Sequence, residues 1–243
     1  MNIIKLNAID STNTYLKELG KNVSLSDATV VWAKNQTGGR GQMGANWQSI
    51  NGQSLTFSVL KRFKQLDIKE YPKITYVVTL GIKNALQKLG IPGLSVKWPN
   101  DIMSYNQKLC GVLIENQLEG QKLISAIVGI GLNVNETQFL NLPQATSMRL
   151  ITGREFDLEE VFNYVIMEVI QHLKDFANHN VQNLKEKYEE TLFRIEKVSS
   201  FERPDGSRFN GIIRGVTDAG ELLVEDENQR LTTFELKQIK MLF

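Results

Sequence analysis

The spacing of apolar and polar positions along this 243-residue chain predicts a succession of helices and strands. Apolar residues recur at helical spacing from Pro72 to Gly90, and two further helices are predicted over 157–177 and 181–192. A shorter helix is predicted to begin at Asp10-Ser11-Thr12, because Ser and Thr cap first turns, and to end at Gly20. Short apolar runs bounded by turn residues predict strands at 28–33, 54–60, 94–98, 102–104, 109–116 and 122–134.

The later part of the chain contains hairpins and then changes in character. Polar turns at Tyr105-Asn106-Gln107 and Glu119-Gly120-Gln121 join successive strands, which predicts antiparallel pairing. After Phe193, short strands alternate with tight turns, and four or five strands over 193–243 predict a small β-barrel. No linker rich in Pro, Gly or Ser precedes this second domain, so we expect it to pack directly on a first domain of residues 1–192.

The composition narrows the class of protein. A net charge of +1 gives no general affinity for nucleic acid or anionic membranes. The longest apolar stretch, residues 123–134, is too short for a membrane span, and the N-terminus lacks the pattern of a signal peptide. The single Cys110 excludes internal disulfides, and together these features lead us to expect a cytoplasmic protein.

Few residues suit nucleophilic or metal chemistry. The chain has two histidines, His172 and His179, and we expect both to be surface or hydrogen-bonded residues. No His/Cys cluster has metal-ligand spacing, no G-x-S-x-G motif is present, and Cys110 is expected in the core. An enzyme built from this sequence would therefore depend on bound charge and positioning.

The segment Lys97-Trp98-Pro99-Asn100-Asp101, followed by Lys108, is the most informative stretch. Two cations and a carboxylate lie at the ends of predicted strands, where ligands commonly bind. Such charges are often a solvated surface cluster. We favour a site for an anionic, phosphorylated ligand, because Lys97 adjoins Trp98 and Pro99 and because Lys108 begins an apolar run.

Glycine-rich segments provide a second candidate binding site. Residues 38–44 read Gly-Gly-Arg-Gly-Gln-Met-Gly, and Trp47 follows. Glycines let backbone N–H groups approach a ligand, and Arg40 adds a forked donor. The dinucleotide pattern G-x-G-x-x-G is matched, but no apolar helix follows and Lys61-Arg62 stand where an acidic ribose ligand is needed, so dinucleotide binding is disfavoured. Gly129 and Gly131 clear one face of a strand, which suits either a flat ligand or close packing.

Four separated segments together resemble the biotin protein ligase family. They are Ser11-Thr12-Asn13, Gln36 with Gly39-Arg40-Gly41 and Trp47, Lys97 to Asp101 with Lys108-Leu109-Cys110-Gly111, and Gly129-Ile130-Gly131-Leu132-Asn133. The segments cover most of residues 1–135, and the K-W-P-N-D run is far more specific than the glycine pairs. The resemblance implies an α+β catalytic domain like that of class II aminoacyl-tRNA synthetases, with a mixed sheet backed by helices. It also implies a C-terminal SH3-like β-barrel.

The resemblance implies an ATP-dependent reaction in two steps. The carboxylate of biotin attacks the α-phosphate of ATP, which gives biotinyl-5′-adenylate and pyrophosphate. A lysine amine of a biotin carboxyl carrier protein then attacks the adenylate. Magnesium would arrive with ATP and be held mainly by phosphates and water, with no metal site in the protein.

The resemblance also implies the residues of the site. The catalytic residues would be Arg40, Lys97, Asp101 and Lys108. The biotin-binding residues would be Ser11, Thr12, Asn13, Gln36, Arg40, Gly41, Gln42, Lys108, Gly111, Gly129 and Gly131. The ATP-binding residues would be Arg40, Trp47, Lys97 and Asn133. Among them, Lys108 would bind the biotin carboxylate and the charge developing at phosphorus, and Asp101 would orient the acceptor lysine.

The chain departs from the family at two loop positions. Many members carry Arg where this chain has Gln42, and another basic residue where it has Ala45. Because the Ser-Thr-Asn motif begins at residue 11, we expect no N-terminal DNA-binding domain and no DNA repression, and a homodimer is left open.

Two other functions share part of this pattern. A lipoate–protein ligase would share the activation chemistry, but the Lys97–Asp101 run and the Ser11-Thr12-Asn13 start oppose it. A non-catalytic biotin-binding module would not need so many phosphate-facing charges.

Overall fold

The computed structural model describes residues 1–140, 142–178 and 182–243, apart from the side chain of Gln65. Its helices are α1 (Thr12–Asn22), α2 (Tyr71–Lys88), α3 (Met148–Thr152), α4 (Leu158–Ala177) and α5 (Leu184–Glu189). Its strands are β1 (Asn2–Ile9), β2 (Thr29–Gln36), β3 (Ser54–Asp67), β4 (Leu94–Lys97), β5 (Asp101–Ser104), β6 (Gln107–Glu119), β7 (Lys122–Asn133), β8 (Val198–Glu202), β9 (Arg208–Val216), β10 (Leu222–Asp226), β11 (Leu231–Phe234) and β12 (Lys240–Leu242). None of the helices in these ranges is long and apolar enough to cross a membrane.

The larger sheet is mixed and has seven strands in the order β1-β2-β3-β7-β6-β5-β4. Strands β1 and β2 pair in parallel, whereas the other neighbours in this order pair antiparallel. The two predicted hairpins are present, and Tyr105 and Gly120 take positive φ angles in their turns. The predicted α+β fold with a mixed sheet is therefore confirmed.

Helices cover both faces of this sheet. Alternate side chains of a strand point to opposite faces. On β2, Val30 and Trp32 enter the main core, where the Trp32 ring stacks on Phe162 of α4 at a centroid distance of 4.6 Å. Val31 faces the other way and packs with Leu16 of α1. Burial of each such large apolar side chain contributes about 1.5–3 kcal/mol, and the two cores fix α1 and α4 on opposite faces.

Several boundaries differ from the prediction. Helix α1 continues past Gly20, and β3 is longer than the predicted strand because it pairs with β7 as far as Asp67. The helix predicted over 181–192 is reduced to α5, and His179 and Val181 lie outside the described residues.

Two elements were not predicted. Strand β1 is an edge strand with no fully buried residue, which weakens its hydrophobic pattern, and α3 is a single short turn.

The C-terminal strands form a second, antiparallel sheet in the order β11-β10-β9-β8-β12. The predicted strand-rich tail is confirmed, while its SH3-like shape and the boundary between 192 and 193 stay predictions. Direct packing on the larger sheet is visible at two points. Trp98 Nε1 donates a hydrogen bond to the Gly220 carbonyl at 2.9 Å. The ammonium of Lys97, the last residue of β4, lies 4.6 Å from the ring centroid of Phe243, which follows β12.

Candidate active site

Two adjoining cavities lie on the sheet face that carries α1, beside the loop that follows β2. The first has a volume of about 270 Å³, and the predicted residues that line it are Ser11, Thr12, Asn13, Gln36, Arg40, Gly41, Gln42, Trp47, Asp101, Lys108, Gly111, Gly129 and Gly131. The second has a volume of about 320 Å³, and the predicted residues that line it are Trp47, Lys97, Asp101, Lys108 and Asn133. The structure therefore brings the predicted biotin residues into one cavity. It places the predicted ATP residues, except Arg40, around the other.

Strands β3, β7 and β6 form the floor of the first cavity, and their register decides which residues face it. Gly131 of β7 lies opposite Thr56 of β3 and Gly111 of β6, and Gly129 lies opposite Ser58. These residues point to one face because side chains alternate along a strand. Glycine at three of these positions leaves room above the sheet for other side chains or for a ligand.

The start of α1 forms one polar wall of this cavity. Ser11 caps the helix, and its hydroxyl accepts a hydrogen bond from the Thr14 amide. The amide and hydroxyl of Thr12 both donate to Gln36 Oε1, at 3.0 and 3.2 Å. Ser58 Oγ lies 2.7 Å from Thr12 Oγ1. These polar groups are mutually bonded, so the wall is held in place before any ligand arrives.

Asn13 completes the polar wall. Its Oδ1 accepts from the Ser58 hydroxyl at 2.6 Å, and its Nδ2 donates to Glu115 Oε2 at 2.9 Å. A Cβ atom at Gly129 would lie 2.4 Å from Asn13 Oδ1, so only glycine lets the amide sit here. The amide orientation follows from its partners on both sides.

The loop after β2 carries Arg40 over the cavity. The Gly39 carbonyl accepts from the Trp47 amide at 2.9 Å, and a Cβ atom at Gly39 would lie 2.3 Å from the Trp47 carbonyl oxygen. After Gly41 the chain forms a 3-10 turn at Gln42–Gly44, so the helix that a dinucleotide motif requires is absent at this point of the described chain. Arg40 Nη2 donates to Glu115 Oε2 at 2.9 Å.

Trp47 lies between the two cavities. Its ring covers Gly131 and Gly111, where added Cβ atoms would approach it to 2.3 and 2.9 Å. Its Nε1 is buried and makes no hydrogen bond to the described residues. The Lys108 ammonium lies 5.5 Å from the ring centroid. Of the two alternatives for the glycine face, the structure shows close packing, because the indole rests on Gly131 and the Asn13 amide on Gly129.

The remaining charges belong to the hairpin strands. Lys108 Nζ forms an ion pair with Asp101 Oδ1 at 2.8 Å, and Asp101 faces Lys97 across β4 and β5. Burial lowers the pKa of the Lys97 ammonium, and the nearby Asp101 carboxylate partly opposes this shift. Lys97 Nζ also lies 4.6 Å from the Phe243 ring centroid. Two ammonium groups and one carboxylate thus converge where the cavities meet.

The other reactive residues lie away from these cavities. His172 is hydrogen-bonded on both ring nitrogens, to Glu168 and Asn84, as predicted. Cys110 is buried in the core, and burial raises the pKa of its thiol well above the usual range. Among the described residues, no group of three or more His, Cys, Asp or Glu side chains is placed to hold a metal ion.

Sequence reasoning missed Ser58 and Glu115, which link the residues that it found. Ser54, Thr56 and Ser58 stand at alternate positions of an otherwise apolar strand, and this period marks a polar stripe. That signal could have identified Ser58. Glu115 carries no local signal, because its partners are 75 and 102 residues away along the chain.

Comparison with known proteins agrees with this geometry. The model of the biotin/lipoate A/B protein ligase family matches residues 6–133. The bifunctional ligase/repressor BirA of Salmonella typhimurium is 30% identical over 232 residues, which cover 93% of this chain and 70% of that protein. The biotin–[acetyl-CoA-carboxylase] ligase of Mycobacterium tuberculosis is 26% identical over 218 residues, covering 88% of this chain and 80% of that protein.

A solved structure is similar over its whole length. Biotin protein ligase from Aquifex aeolicus, in complex with biotin and ATP, matches with a TM-score of 0.79 and 29% identity, covering 99% of this chain and 98% of that one. The fold and the site define a ligase that joins a small carboxylic acid to a protein, and the chain belongs to the biotin/lipoate A/B protein ligase family. The predictions of a biotin protein ligase and of biotin and ATP as its substrates are confirmed.

Proposed function

We propose that this protein activates biotin with ATP and transfers it to a lysine of a biotin carboxyl carrier protein. In the first step a biotin carboxylate oxygen bonds to the α-phosphorus, and the bond to the β-phosphate oxygen breaks, which releases pyrophosphate. In the second step the lysine amine attacks the acyl carbon, loses a proton, and AMP leaves. The first step brings two anionic groups together, and both steps release an anionic leaving group, so positive charge must be held in place.

The observation that carries this proposal is the junction of the two cavities. Lys108 lines both of them and is fixed by Asp101 at 2.8 Å. A carboxylate in the first cavity and a phosphate in the second would meet beside the same ammonium group. Lys108 would bind the biotin carboxylate and offset the charge that develops at phosphorus.

The first cavity suits the ring system of biotin. Its glycine floor is covered by the Trp47 indole and the Asn13 amide, and its wall offers the hydroxyl, amide and carboxamide groups of Ser11, Thr12, Asn13 and Gln36. These groups would hydrogen-bond the ureido ring, while Gly41, Gln42, Gly111, Gly129 and Gly131 would line the pocket. Arg40 would clamp carboxylate and phosphate oxygens with its forked donors.

The second cavity suits the nucleotide. Trp47, Lys97 and Asn133 line it, and Asn133 Nδ2 is fixed by the Thr146 carbonyl at 2.9 Å. Magnesium, when bound, would neutralise phosphate charge. The described residues offer no three-ligand acidic cluster for it, so we expect it to be held through the phosphates and water.

The second half-reaction needs an oriented amine. Asp101 lines both cavities and is the carboxylate nearest Lys108, so it would orient the acceptor lysine. The acceptor lysine would belong to a biotin carboxyl carrier protein. A cytoplasmic location and the absence of DNA repression stay predictions, and a homodimer stays open.

The deciding experiment is pyrophosphate release from ATP with biotin, lipoate or neither, followed by label transfer to a carrier domain. We expect biotin-dependent release and label on one carrier lysine. Pyrophosphate release with lipoate but not with biotin would support a lipoate–protein ligase. Biotin binding without pyrophosphate release would support a non-catalytic module. A specific, biotin-dependent gel shift on DNA would overturn the expectation of no repression.

A further inference from the structure

Glu115 connects the two functional walls of the first cavity. It lies on β6 at an even spacing from Gly111, so the two residues face the same side of the sheet. Its Oε2 accepts from Asn13 Nδ2 and from Arg40 Nη2, both at 2.9 Å. One carboxylate thus touches a residue proposed for the biotin ring and the arginine proposed for the carboxylate and phosphate.

Both cations that line the first cavity are paired with carboxylates. Lys108 is paired with Asp101 at 2.8 Å, and Arg40 is paired with Glu115 at 2.9 Å. An anionic ligand that reaches for Arg40 must therefore compete with Glu115. The side chains of Arg40 and Glu115 are 46% and 25% exposed, so solvent screens the pair and its exchange costs little.

We propose that Glu115 is a positioning residue that holds Arg40 at the cavity mouth and releases it to the anionic end of the ligand. The proposal rests on the proposed function, because it names the partner that Arg40 leaves when biotin binds. A ligand with a carboxylate must displace Glu115 from Arg40. A ligand of the same shape without charge has nothing to exchange and leaves the pair intact.

Asn13 supplies the contrast that makes the proposal testable. Its amide is held by Ser58, Leu113 and Glu115, at 2.6, 3.4 and 2.9 Å. If Glu115 acted only by holding this amide, its loss would weaken charged and neutral biotin analogues equally. If Glu115 instead releases Arg40, its loss changes the binding of charged ligands alone.

The test is Glu115→Gln, which keeps the size of the side chain and an acceptor for Asn13 but removes the charge. Calorimetry measures the Kd of biotin and of its alcohol analogue, in which a hydroxymethyl group replaces the carboxylate. We expect E115Q to bind biotin about two- to fivefold more tightly, in line with a screened ion pair, and the alcohol unchanged. In an Arg40→Gln background, Glu115→Gln should affect the Kd of biotin and the Kd of the alcohol equally.

Glu119→Gln, an exposed position on the same strand, is the matched control and should change neither Kd. An equal change in both ligands, or weaker biotin binding by E115Q, would overturn the proposal. Melting temperatures of all variants check the fold. Failure of the wild-type protein to bind either ligand would instead count against the proposed function.

Discussion

The two parts of the site that carry positive charge are built differently. Asp101 and Lys108 lie on neighbouring hydrogen-bonded strands, β5 and β6, and their side chains are paired at 2.8 Å. Arg40 lies in a loop held by a few backbone bonds, such as those from Gly41 to Ala45 and from Trp47 to Gly39. Nearly half of the Arg40 side chain is exposed.

This difference assigns different tasks to the two parts. Strand-borne charges need no reorganisation when the reaction occurs, and this suits stabilisation of a transition state. A loop with few anchors can yield to an entering ligand and close over it, which suits capture and release. Changes in the hairpin strands should therefore lower rates, whereas changes in the loop should alter how long a ligand stays.

The largest effect is expected from Lys108→Ala. Loss of a well-placed charged donor costs about 3 kcal/mol in the barrier, so adenylate formation should fall by roughly a hundredfold or more. Single-turnover formation of biotinyl-adenylate measures it. Lys122→Ala removes an exposed lysine paired with Asp67 and is the control. Adenylate formation near the wild-type rate in Lys108→Ala would remove Lys108 from the catalytic residues.

Asp101→Ala should separate the two half-reactions. If Asp101 orients the acceptor amine, transfer should fall by roughly thirtyfold more than adenylation, because a misplaced reacting group is slow to react. Rapid-quench measurement of both steps compares them. The ion pair with Lys108 predicts a different outcome, because a Lys108 side chain no longer held by Asp101 would slow adenylation too. Equal losses in both steps would mean that Asp101 acts by holding Lys108.

A residue of the site could be predicted from the sequence when the residues it contacts lie close to it along the chain. Lys97, Asp101 and Lys108 were found because they are close in sequence and flank strand ends. The polar wall was predicted only in part, because Ser58 and Glu115 reach the site through the register of β3, β7 and β6. Long-range pairing decides such contacts, and a local pattern does not contain it.

The same reason explains the errors in the fold. The main strands and α2 and α4 have buried faces, so their periodicity predicted them well. Strand β1 lies at the sheet edge with no fully buried residue, so its alternation was missed. Gly20 does not end α1, because helix propensity is a weak local preference that packing on the sheet overrides.

A smaller effect on ligand retention is expected from Gly129→Ala. The new methyl group would lie 2.4 Å from Asn13 Oδ1 and would push the amide from its bonds with Ser58 and Glu115. Loss of such a polar contact typically costs 1–3 kcal/mol, so biotin affinity should fall by about tenfold, with ATP affinity unchanged. Calorimetry with each ligand tests this. Gly20→Ala, in the interior of α1, is the control, and unchanged biotin affinity in Gly129→Ala would contradict the placement of biotin against Asn13.

The smallest effect is expected at Gln42, the loop position where the family resemblance implies Arg in many members. Gln42 lines the first cavity, and an Arg there would hold the phosphate of the adenylate by charge-assisted bonds. Gln cannot offset that charge, so Gln42→Arg should retain the intermediate more tightly by ~1 kcal/mol, or about fivefold in dissociation rate. Adenylate trapped on each enzyme and followed by its release gives the two rates. We expect the wild-type protein to leak adenylate, which would label exposed lysines of bystander proteins.

Compensation by another cation is the alternative, and the structure narrows its source. Arg214 is already held by Glu196 and Glu225 within the C-terminal sheet. Lys237 of the same region, by contrast, reaches the loop, where its Nζ lies 3.4 Å from the Met43 carbonyl. If wild type retains the adenylate as long as Gln42→Arg does, Lys237→Ala should restore the leak, since the Lys237 ammonium is hydrogen-bonded to this loop. Rapid release from wild type, with no further change in Lys237→Ala, would instead show that Gln42 leaves the phosphate uncompensated.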